Sequence, residues 1–527
     1  MIKLPEHSTV VIVGAGPSGL MMAAQLLRYG IQPVIIDAKK ELTRQSRALV
    51  LHSRSLEVFR QLGLDESLLK TGNQVSRISF HEEDTKLDLD LDNQTLYPFM
   101  LVLEQGKTEK ILLEDLTAHA CPVYWNTSLV ESRQSEEQLF LRVNQEETER
   151  TLTCDWLIAA DGFSSKVRAL HRIPLSGSST PRQYFLADLK LTADISWESV
   201  HIFSKKEGFL EIIPLNNNQV RCIGVIPKSL KQRENLSFED IRPYVTFILG
   251  VPLQVDSCSW FSTYYVHHRM AERFRSRRTF LIGDAAHHHS PLGAQGMNSG
   301  LQDAANLAWK LAGVINKEFS PSILDTYARE RMPVAKGLIR TTDRFFNLLT
   351  TDNYFIKGAL NGFIRKRLMQ YIGYRTLQKW LLDRISQLAV NYRNNSLSVH
   401  HSTATHVRAG DRLPFLPVFD EKIKETTDLQ AWCSKLGFTL IVIGELSPRA
   451  LSLLAKWIKR SYPFNLSFYY LPPSESTKVI FETFEIKENA RKAIIVRPDL
   501  YIGYINDVAD LELIDIYLKE VTGWRKF

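Results

Sequence analysis

Residues 9–20 read TVVIVGAGPSGL and decide the fold of the first part of the chain. A short β-branched run ends at a G-x-G-x-x-G turn, and a helix-like segment, Leu20 to Tyr29, follows. A second strand, Pro33 to Ile36, leads directly into an acid. This order places a pyrophosphate at the helix N-terminus and a carboxylate at a ribose hydroxyl, although an accidental Gly-rich turn is the alternative. The residues predicted to bind a dinucleotide are Gly14, Gly16, Pro17, Ser18, Gly19 and Asp37.

Two later strand ends favour FAD over NAD, which the first motif alone would fit equally well. WLIAADGFSSKVR at 156–168 is a buried strand that ends at Asp161 and turns through serines into a helix. TFLIGD at 279–284 is another strand, and it ends at Asp284. A ligand as long as FAD needs hydroxyl acceptors on its ribityl chain, well beyond the first phosphate site. We therefore predict FAD as the cofactor.

Three consecutive histidines follow Asp284 and raise the question of a metal site. In extended backbone His287 and His289 share one side and His288 points away, so the three do not converge on one ion. The five cysteines show no C-x-x-C spacing that would complete a zinc site. We predict no metal and expect His287 and His289 to pack and hydrogen-bond locally; a catalytic role for either is the alternative.

The net charge, the hydrophobic pattern and the cysteine spacing indicate which kinds of ligand and which cell compartment suit the chain. The formal charge of +7 and the pI near 8.9 indicate mild attraction to anionic ligands, and the absence of a Lys/Arg block argues against nucleic acid. No window approaches the roughly 18 apolar residues of a membrane span, so we expect no integral membrane association. The N-terminal apolar run continues into the glycine turn, unlike a signal peptide, and the scattered cysteines fit a cytoplasmic protein. A homodimer is left open.

Six stretches together carry a family resemblance that covers nearly the whole chain. They are GAGPSGL at 14–20, SRALVLHSRSLEVFRQLGL at 46–64, DGFSSKVR at 161–168, TYYVHHRMAERF at 263–274, RTFLIGDAAHHHSPLGAQGMNSGLQDAANLAWKLAG at 278–313 and VRPDLYIGY at 496–504. The chain resembles class A FAD-dependent monooxygenases, in the branch of the phenol and dichlorophenol hydroxylases and the hydroxylases of aromatic polyketides.

The resemblance implies roles for further residues. Asp284 would bind the ribityl chain, the 291–298 loop would lie against the isoalloxazine, and a helix beginning near Asn298 would point its N-terminus at the flavin pyrimidine. Such a helix end stabilises the anion at N1 of reduced flavin. At Ala294 most relatives carry glycine, and the extra methyl group would restrict how the ring moves. The further residues predicted to contact FAD are Arg47, Gln105, Asp161, Pro291, Gly296, Met297 and Asn298.

The predicted fold class is α/β, or α+β overall. Segments such as FLADLKLTADI at 185–195 and GFLEIIPL at 208–215 alternate polar and apolar residues and indicate strands. A polar, turn-rich stretch at 392–414 indicates a boundary. With the resemblance, these observations predict a Rossmann-like FAD-binding domain (1–73, 101–181 and 267–340), an interleaved β-sheet substrate domain (74–100 and 182–266), a helical connector (341–400) and a thioredoxin-like domain (401–527).

The expected activity is hydroxylation of a phenolic or polycyclic aromatic substrate. NADPH or NADH would reduce FAD, O₂ would add to give a flavin hydroperoxide, and one oxygen atom would pass to the ring. Since no second glycine fingerprint exists, the nicotinamide would bind transiently. Baeyer–Villiger oxygenation on the same fold and a non-catalytic FAD-binding protein are the alternatives. The side chains expected to face the substrate are Tyr184, Phe203, Glu211, Arg221, Tyr264 and Tyr265, of which Arg221, Tyr264 and Tyr265 are weak catalytic candidates.

Overall fold

The computed structural model describes most of the chain and assigns its strands and helices. The described residues are 3–43, 48–82, 85–91, 95–192, 196–205, 208–216, 218–230, 233, 235–250, 254–288, 292–350, 382–420, 424–463 and 466–525. The strands are β1 (His7–Val13), β2 (Val34–Ile36), β3 (Val50–Leu51), β4 (Asn73–Val75), β5 (Arg77–Glu82), β6 (Thr85–Asp90), β7 (Met100–Val102), β8 (Val123–Tyr124), β9 (Thr127–Gln134), β10 (Leu139–Gln145), β11 (Thr148–Ala159), β12 (Leu175–Thr192), β13 (Ser199–Lys205), β14 (Gly208–Pro214), β15 (Gln219–Val225), β16 (Gln254–Ala271), β17 (Arg275–Ser276), β18 (Thr279–Leu281), β19 (His287–His288), β20 (Val399–His401), β21 (Pro417–Asp420), β22 (Glu425–Asp428), β23 (Phe438–Gly444), β24 (Leu466–Leu471), β25 (Arg491–Val496) and β26 (Ile502–Asn506). The helices are α1 (Pro17–Arg28), α2 (Ser53–Arg60), α3 (Asp65–Thr71), α4 (Gln105–Ala118), α5 (Lys166–Leu170), α6 (Phe238–Leu249), α7 (Gln295–Ile315), α8 (Asp325–Thr350), α9 (Leu429–Cys433), α10 (Pro448–Ser461), α11 (Lys478–Thr483) and α12 (Leu511–Ile516).

The first sheet brings the sequence motifs to one edge. Its parallel strands run in the order β18-β11-β1-β2-β8, with β17 antiparallel at one side and the β9–β10 hairpin joined to β11. Val13 is in register with Ala159 and with Ile36, and Ala159 is in register with Leu281. The glycine turn and the strand-end aspartates therefore follow neighbouring carboxyl ends, where open α/β sheets bind their ligands.

The second sheet has two apolar faces. Its order is β19-β16-β12-β15-β14-β13-β5-β6, antiparallel except for the β5–β13 pair. Helix α6 covers the outer face with Phe238, Ile241 and Val245. The inner face packs with Ala294, in the loop before α7. The sheet thus forms a wall opposite that loop, while β4 pairs with β7 in a separate three-stranded sheet.

The C-terminal sheet combines parallel and antiparallel strands, and its predicted thioredoxin-like fold stays a prediction. Its core order is β24-β23-β25-β26: β23 and β24 are parallel and joined through α10, whereas β25 and β26 run antiparallel to their neighbours. Every residue of β23 is buried, as a central strand covered on both faces requires. The mixed α/β character of the described residues confirms the predicted fold class.

A buried ionic network joins this sheet to α7 and α8. The Arg497 guanidinium donates to both carboxylate oxygens of Glu330, at 2.6 and 3.0 Å, and also pairs with Asp499. Lys310 of α7 donates to Glu330 at 2.6 Å. Burial alone would raise the pKa of Glu330, and the Arg497 and Lys310 cations overcome it and hold that pKa at about 2. The polar stretch at 392–414 lies along this junction with Tyr392 and Leu413 buried, and its predicted role as a domain boundary stays a prediction.

We predict that Glu330→Ala lowers the free energy of unfolding by about 3 to 5 kcal/mol, because it removes the carboxylate that two buried cations share and leaves only Asp499 to pair with Arg497. Thermal or urea unfolding monitored by circular dichroism measures the change. Glu66→Ala is the control, since Glu66 pairs with Lys70 on the surface at 3.5 Å and should leave the midpoint unchanged. Equal midpoints for Glu330→Ala and wild type would contradict a stabilising network.

Candidate functional site

The glycine turn brings α1 and the strand ends into close contact. Gly14 has φ +108° and donates its N–H to Ile36 O at 2.8 Å. A Cβ at Gly14 would lie 2.3 Å from Ala160 O, and one at Gly19 would lie 1.9 Å from Gly14 O. Around Gly16, which precedes α1, a Cβ would meet nothing within 4 Å. The helix N-terminus therefore faces open space, with unpaired N–H groups suited to a pyrophosphate.

Asp37 fixes the glycine turn to the end of β2. Its carboxylate accepts the Ala15 N–H at 2.7 Å and the Lys39 N–H at 2.8 Å, and the residue is 8% exposed. A carboxylate has about four lone-pair sites, so two remain after these bonds. The predicted role of Asp37, which is to bind an adenosine ribose hydroxyl, stays a prediction.

Ser18 packs between two glycines of the neighbouring loop and helix. A Cβ at Gly283 would lie 2.4 Å from Ser18 Oγ, and a Cβ at Gly300 would lie 2.2 Å from it. Gly283 also has φ +57°, a left-handed conformation that glycine adopts without strain. These contacts dock the N-terminus of α1 against α7, so the two helix ends predicted to face FAD are held together.

Asp161 caps the helix that follows its strand. Its Oδ2 accepts the Val167 N–H at 3.1 Å, and burial raises the pKa of its carboxyl group. Arg168 donates to Ala285 O at 2.9 Å and to Phe163 O at 2.6 Å, which links this turn to the loop after β18. Asp161 therefore organises the strand-end loops, and its predicted contact with FAD stays a prediction.

Asp284 and His288 lie together at the surface of their turn, whereas His287 is directed into the interior. The Asp284 side chain is 46% exposed, with Oδ2 3.2 Å from His288 Nδ1. His287 is buried, and its Nε2 lies 2.7 Å from Asp303 Oδ2. His287 thus holds the loop by a local hydrogen bond, which is the kind of contact expected of it. His289 lies outside the described residues.

Asp303 is the centre of a buried network that the sequence interpretation missed. It accepts the Gly283 N–H at 3.0 Å, His287 at 2.7 Å and the Arg331 guanidinium at 2.6 Å. Burial alone would raise the pKa of Asp303, and the charges of Arg331 and His287 overcome it and lower that pKa. Arg331 also donates to Ser299 O at 3.1 Å. The available signal was a charged residue within a part of α7, residues 295–309, that otherwise carries apolar and uncharged polar side chains.

The loop before α7 is clamped by Asn298 and His52. The Asn298 amide donates to Val50 O and Ala294 O, both at 2.8 Å, while its oxygen accepts the His52 N–H at 2.9 Å. His52 Nε2 lies 2.8 Å from Gly293 O. Burial lowers the pKa of His52 to about 4, so the neutral ring with Nε2–H donating fits this contact. His52 lies within the resemblance motif, but its role was not predicted.

The remaining predicted FAD contacts have mixed outcomes. Helix α7 begins at Gln295, one turn earlier than predicted, so Gly296, Met297 and Asn298 lie in its first turn. Gln105 begins α4, and its side-chain amide donates to Glu109 Oε1 at 2.7 Å. Arg47 and Pro291 lie outside the described residues.

The sheet wall divides the predicted substrate-facing residues between two faces. Tyr184 and Tyr264 belong to the inner cluster, and their rings are 5.8 Å apart. Tyr265 follows Tyr264, so it points to the opposite face, where it is 54% exposed. Phe203 packs in the outer cluster and stacks on His81 at 4.3 Å. The predicted pocket positions of Tyr265 and Phe203 are therefore wrong.

Arg221 and Glu211 share the inner face but differ in their partners. Arg221 makes a bidentate pair with Asp188, at 2.7 and 2.8 Å, and its guanidinium lies 5.1 Å from the Trp260 ring centroid. These contacts give Arg221 a structural role in the wall, and its candidacy as a catalytic residue stays a prediction. Glu211 is 6% exposed, and burial raises its pKa to about 7.

Comparison with known proteins identifies the family. The model for the FAD binding domain matches residues 7–342. The chain is 34% identical over 403 residues to 6-methylpretetramide 4-monooxygenase of Streptomyces rimosus, covering 74% of this chain and 71% of that protein. It is 31% identical over 428 residues to pentachlorophenol 4-monooxygenase of Sphingobium chlorophenolicum, covering 78% and 77%. The solved anhydrotetracycline hydroxylase of Streptomyces rimosus superposes with a TM-score of 0.79 at 25% identity over 99% of this chain and 100% of that one.

The fold and the strand-end site define a dinucleotide-binding flavoprotein. The chain belongs to the FAD binding domain family and is an FAD-dependent aromatic monooxygenase, as the resemblance implied. Within the described ranges no helix has the length and apolar character to span a bilayer. In the same ranges no three His, Cys, Asp or Glu side chains form a group that could hold a metal ion.

We predict that Ala294→Gly raises the free energy of unfolding by about 1 kcal/mol, because Ala294 has φ 52° and ψ 34° and left-handed backbone is strained for a residue with a Cβ. Chemical unfolding of the two proteins measures the difference. Ala455→Gly, on the exposed surface of α10, should have the opposite sign and cost about 1 kcal/mol. A destabilising effect of both substitutions would contradict strain at Ala294.

Proposed function

We propose that this monooxygenase hydroxylates a phenolic or polycyclic aromatic substrate, with NADPH or NADH as reductant and O₂ as oxidant. The observation that supports it best is the apolar inner face of the second sheet, which packs with Ala294 in the loop predicted to hold the flavin. An aromatic ring fits between an apolar wall and a flat cofactor. The names of its relatives, which act on 6-methylpretetramide and pentachlorophenol, favour the same substrate class.

The residues present fit FAD. The α1 N-terminus, with Gly14, Gly16, Pro17, Ser18 and Gly19, would hold the pyrophosphate; Asp37 would bind the ribose, and Asp284 the ribityl hydroxyls. The α7 N-terminus would face the pyrimidine ring. When bound and reduced, the flavin activates O₂ and supplies the oxygen atom. The further proposed contacts are Arg47, Gln105, Asp161, Pro291, Gly296, Met297 and Asn298.

The chain's own contribution is orientation and exclusion of water. Tyr184, Tyr264 and the aliphatic residues of the inner face would hold the ring against the loop, which keeps the reacting groups apart from bulk water. The Arg221–Asp188 pair would keep the wall in shape. We also propose the domain limits given by the sequence, a cytoplasmic location and transient nicotinamide binding.

We predict that the purified protein is yellow and that a hydroxyaromatic accelerates its oxidation of NADPH or NADH. Simple phenols, naphthols and hydroxyanthraquinones, screened at equal concentration, cover the proposed class. Product mass should rise by one oxygen atom, which ¹⁸O₂ labels. A ring-expanded ester would instead support Baeyer–Villiger oxygenation. FAD binding without aromatic-dependent turnover would contradict the proposed hydroxylation and leave a flavin-binding protein.

Asp284→Ala tests the FAD assignment in the same experiment. Losing a charged acceptor worth about 1.5 to 3 kcal/mol should weaken FAD binding roughly ten- to hundredfold. Asp256→Ala, at an exposed position on β16, is the matched control and should retain FAD. Stoichiometric FAD in purified Asp284→Ala would contradict the assignment of Asp284 as a residue that binds FAD.

A further inference from the structure

Glu211 lies in the middle of the apolar wall. Its strand neighbours Phe209 and Ile213 belong to the inner cluster, whereas Leu210 and Ile212 belong to the outer one. Since side chains alternate along a strand, Glu211 points to the inner face. The residue is 6% exposed, and Oε2 has no hydrogen-bond partner among the described residues. A nearly buried carboxyl group is thus directed toward the space where the aromatic ring is proposed to bind.

The described residues around Glu211 offer no partner that would explain why a carboxyl group is buried at this position. Across the sheet its register partners are Ile202 on β13 and Ile223 on β15. Among the described residues, no charged neighbour contributes to the pKa of Glu211, which burial alone raises. Burying a carboxylate without a partner is costly, so a leucine would stabilise this position better. Buried carboxyl groups of this kind are found preferentially at functional sites.

The ionisable groups of the sheet near Glu211 are engaged or neutral, and further cationic side chains lie on the helix that packs against its strand. On the inner face of β15, Arg221 is paired with Asp188. Burial raises the pKa of Tyr184 well above its usual value, so it stays neutral. Cys222, on the opposite face, likewise has its pKa raised by burial. Helix α8 packs against β14 and carries Arg329, Lys336 and Arg340 in its described part. Burial is thus the cause of the raised pKa of Glu211, which stands at about 7.

We propose that Glu211 is the residue that binds the hydroxyl group of the aromatic substrate and accepts its proton. The assignment rests on the proposed function, because it requires a substrate with a phenolic hydroxyl. The phenolic O–H bond breaks, an O–H bond forms on the Glu211 carboxylate, and the electron pair stays on the substrate oxygen. In the resulting phenolate, the ortho and para ring carbons carry more electron density, which favours their attack on an electrophilic oxygen. The proton returns to the product oxygen, so no other reactant is needed.

A carboxyl group that titrates near neutral pH suits this task. An ordinary phenol has a pKa of about 10 and an ordinary glutamate has one of about 4.3. Because burial raises the pKa of Glu211, the pKa values of the proton donor and the proton acceptor become more similar. General bases work best when their pKa lies near the operating pH. The substrate class that this site selects is therefore a hydroxyaromatic in preference to its methyl ether.

The test compares wild type with Glu211→Gln, which keeps the shape of the side chain but cannot accept a proton at neutral pH. The probes are 1-naphthol and 1-methoxynaphthalene, together with the best phenol from the screen. With a hydroxyaromatic, wild-type kcat/KM should rise as pH increases through about 7, the region in which Glu211 ionises. In Glu211→Gln, kcat/KM should no longer depend on pH in this region, and at pH 8 it should be at least tenfold lower than in wild type. Binding of 1-methoxynaphthalene, followed by perturbation of the flavin spectrum, should be equal in both proteins.

Two readouts on FAD-loaded protein without substrate complete the test. The infrared band of a protonated carboxyl should disappear between pH 5.5 and 8.5 in wild type and be absent in Glu211→Gln. The pKa of Glu211 is higher in the folded protein than in the unfolded chain. The protonated carboxyl group therefore contributes to folding stability at low pH, and this contribution is lost as the pH rises through about 7. Glu211→Gln should therefore have the higher Tm at pH 8, by a margin that shrinks as the pH falls toward 5, while Glu149→Gln, an exposed control, matches wild type throughout.

The outcomes separate the two proposals. If wild type oxidises no hydroxyaromatic, the proposed function fails and this inference fails with it. If wild type hydroxylates phenols but Glu211→Gln keeps the same pH profile and rate, the function stands and Glu211 is not the proton acceptor. A wild-type profile that is flat from pH 6 to 8 would overturn the inference without any variant.

Discussion

The site depends on one buried carboxylate, that of Asp303. It binds the first residue of the turn after β18, the histidine of that turn and an arginine of α8, with distances of 2.6 to 3.0 Å. An isolated carboxylate in this position would be strongly destabilising, and Arg331 supplies the compensating charge. The same bonds fix the strand end carrying Asp284 relative to the α7 N-terminus. The turn that carries Asp284 and the N-terminus of α7 are therefore both positioned by the need to compensate the buried charge of Asp303.

Helix α7 carries a second network farther along, and this one explains the position of the C-terminal sheet. Asn306 donates to Glu330 at 2.8 Å and to Asp499 at 3.2 Å, and Lys310 reaches the same glutamate. The C-terminal sheet thus braces the helix whose other end is proposed to face the flavin. Its cysteine, Cys433, is buried, and burial raises the pKa of its thiol to about 12, which suits packing better than redox chemistry. We infer a supporting role for this part of the chain.

The sequence predicted local features well and long-range pairing poorly. The strand, glycine turn and helix at 9–28 were recognisable because each requires particular residues at adjacent positions. The Asp303–His287 and Asn298–His52 contacts depend on how separate segments meet, which periodicity does not specify. The left-handed backbone at Ala294 was likewise not foreseeable, since alanine seldom adopts it. For the adjacent Tyr264 and Tyr265 a signal did exist, because two neighbours in a strand cannot face the same pocket.

The most direct test of this account is the FAD dissociation constant of Asp303→Asn, measured by flavin fluorescence on the full-length protein. Asparagine keeps the size of the side chain but removes the charge that Arg331 and His287 share. We predict at least tenfold weaker FAD binding together with a lower Tm, because the turn and the α7 N-terminus lose their common anchor. A variant that binds FAD with the wild-type constant and unfolds at the wild-type temperature would contradict the central role of Asp303.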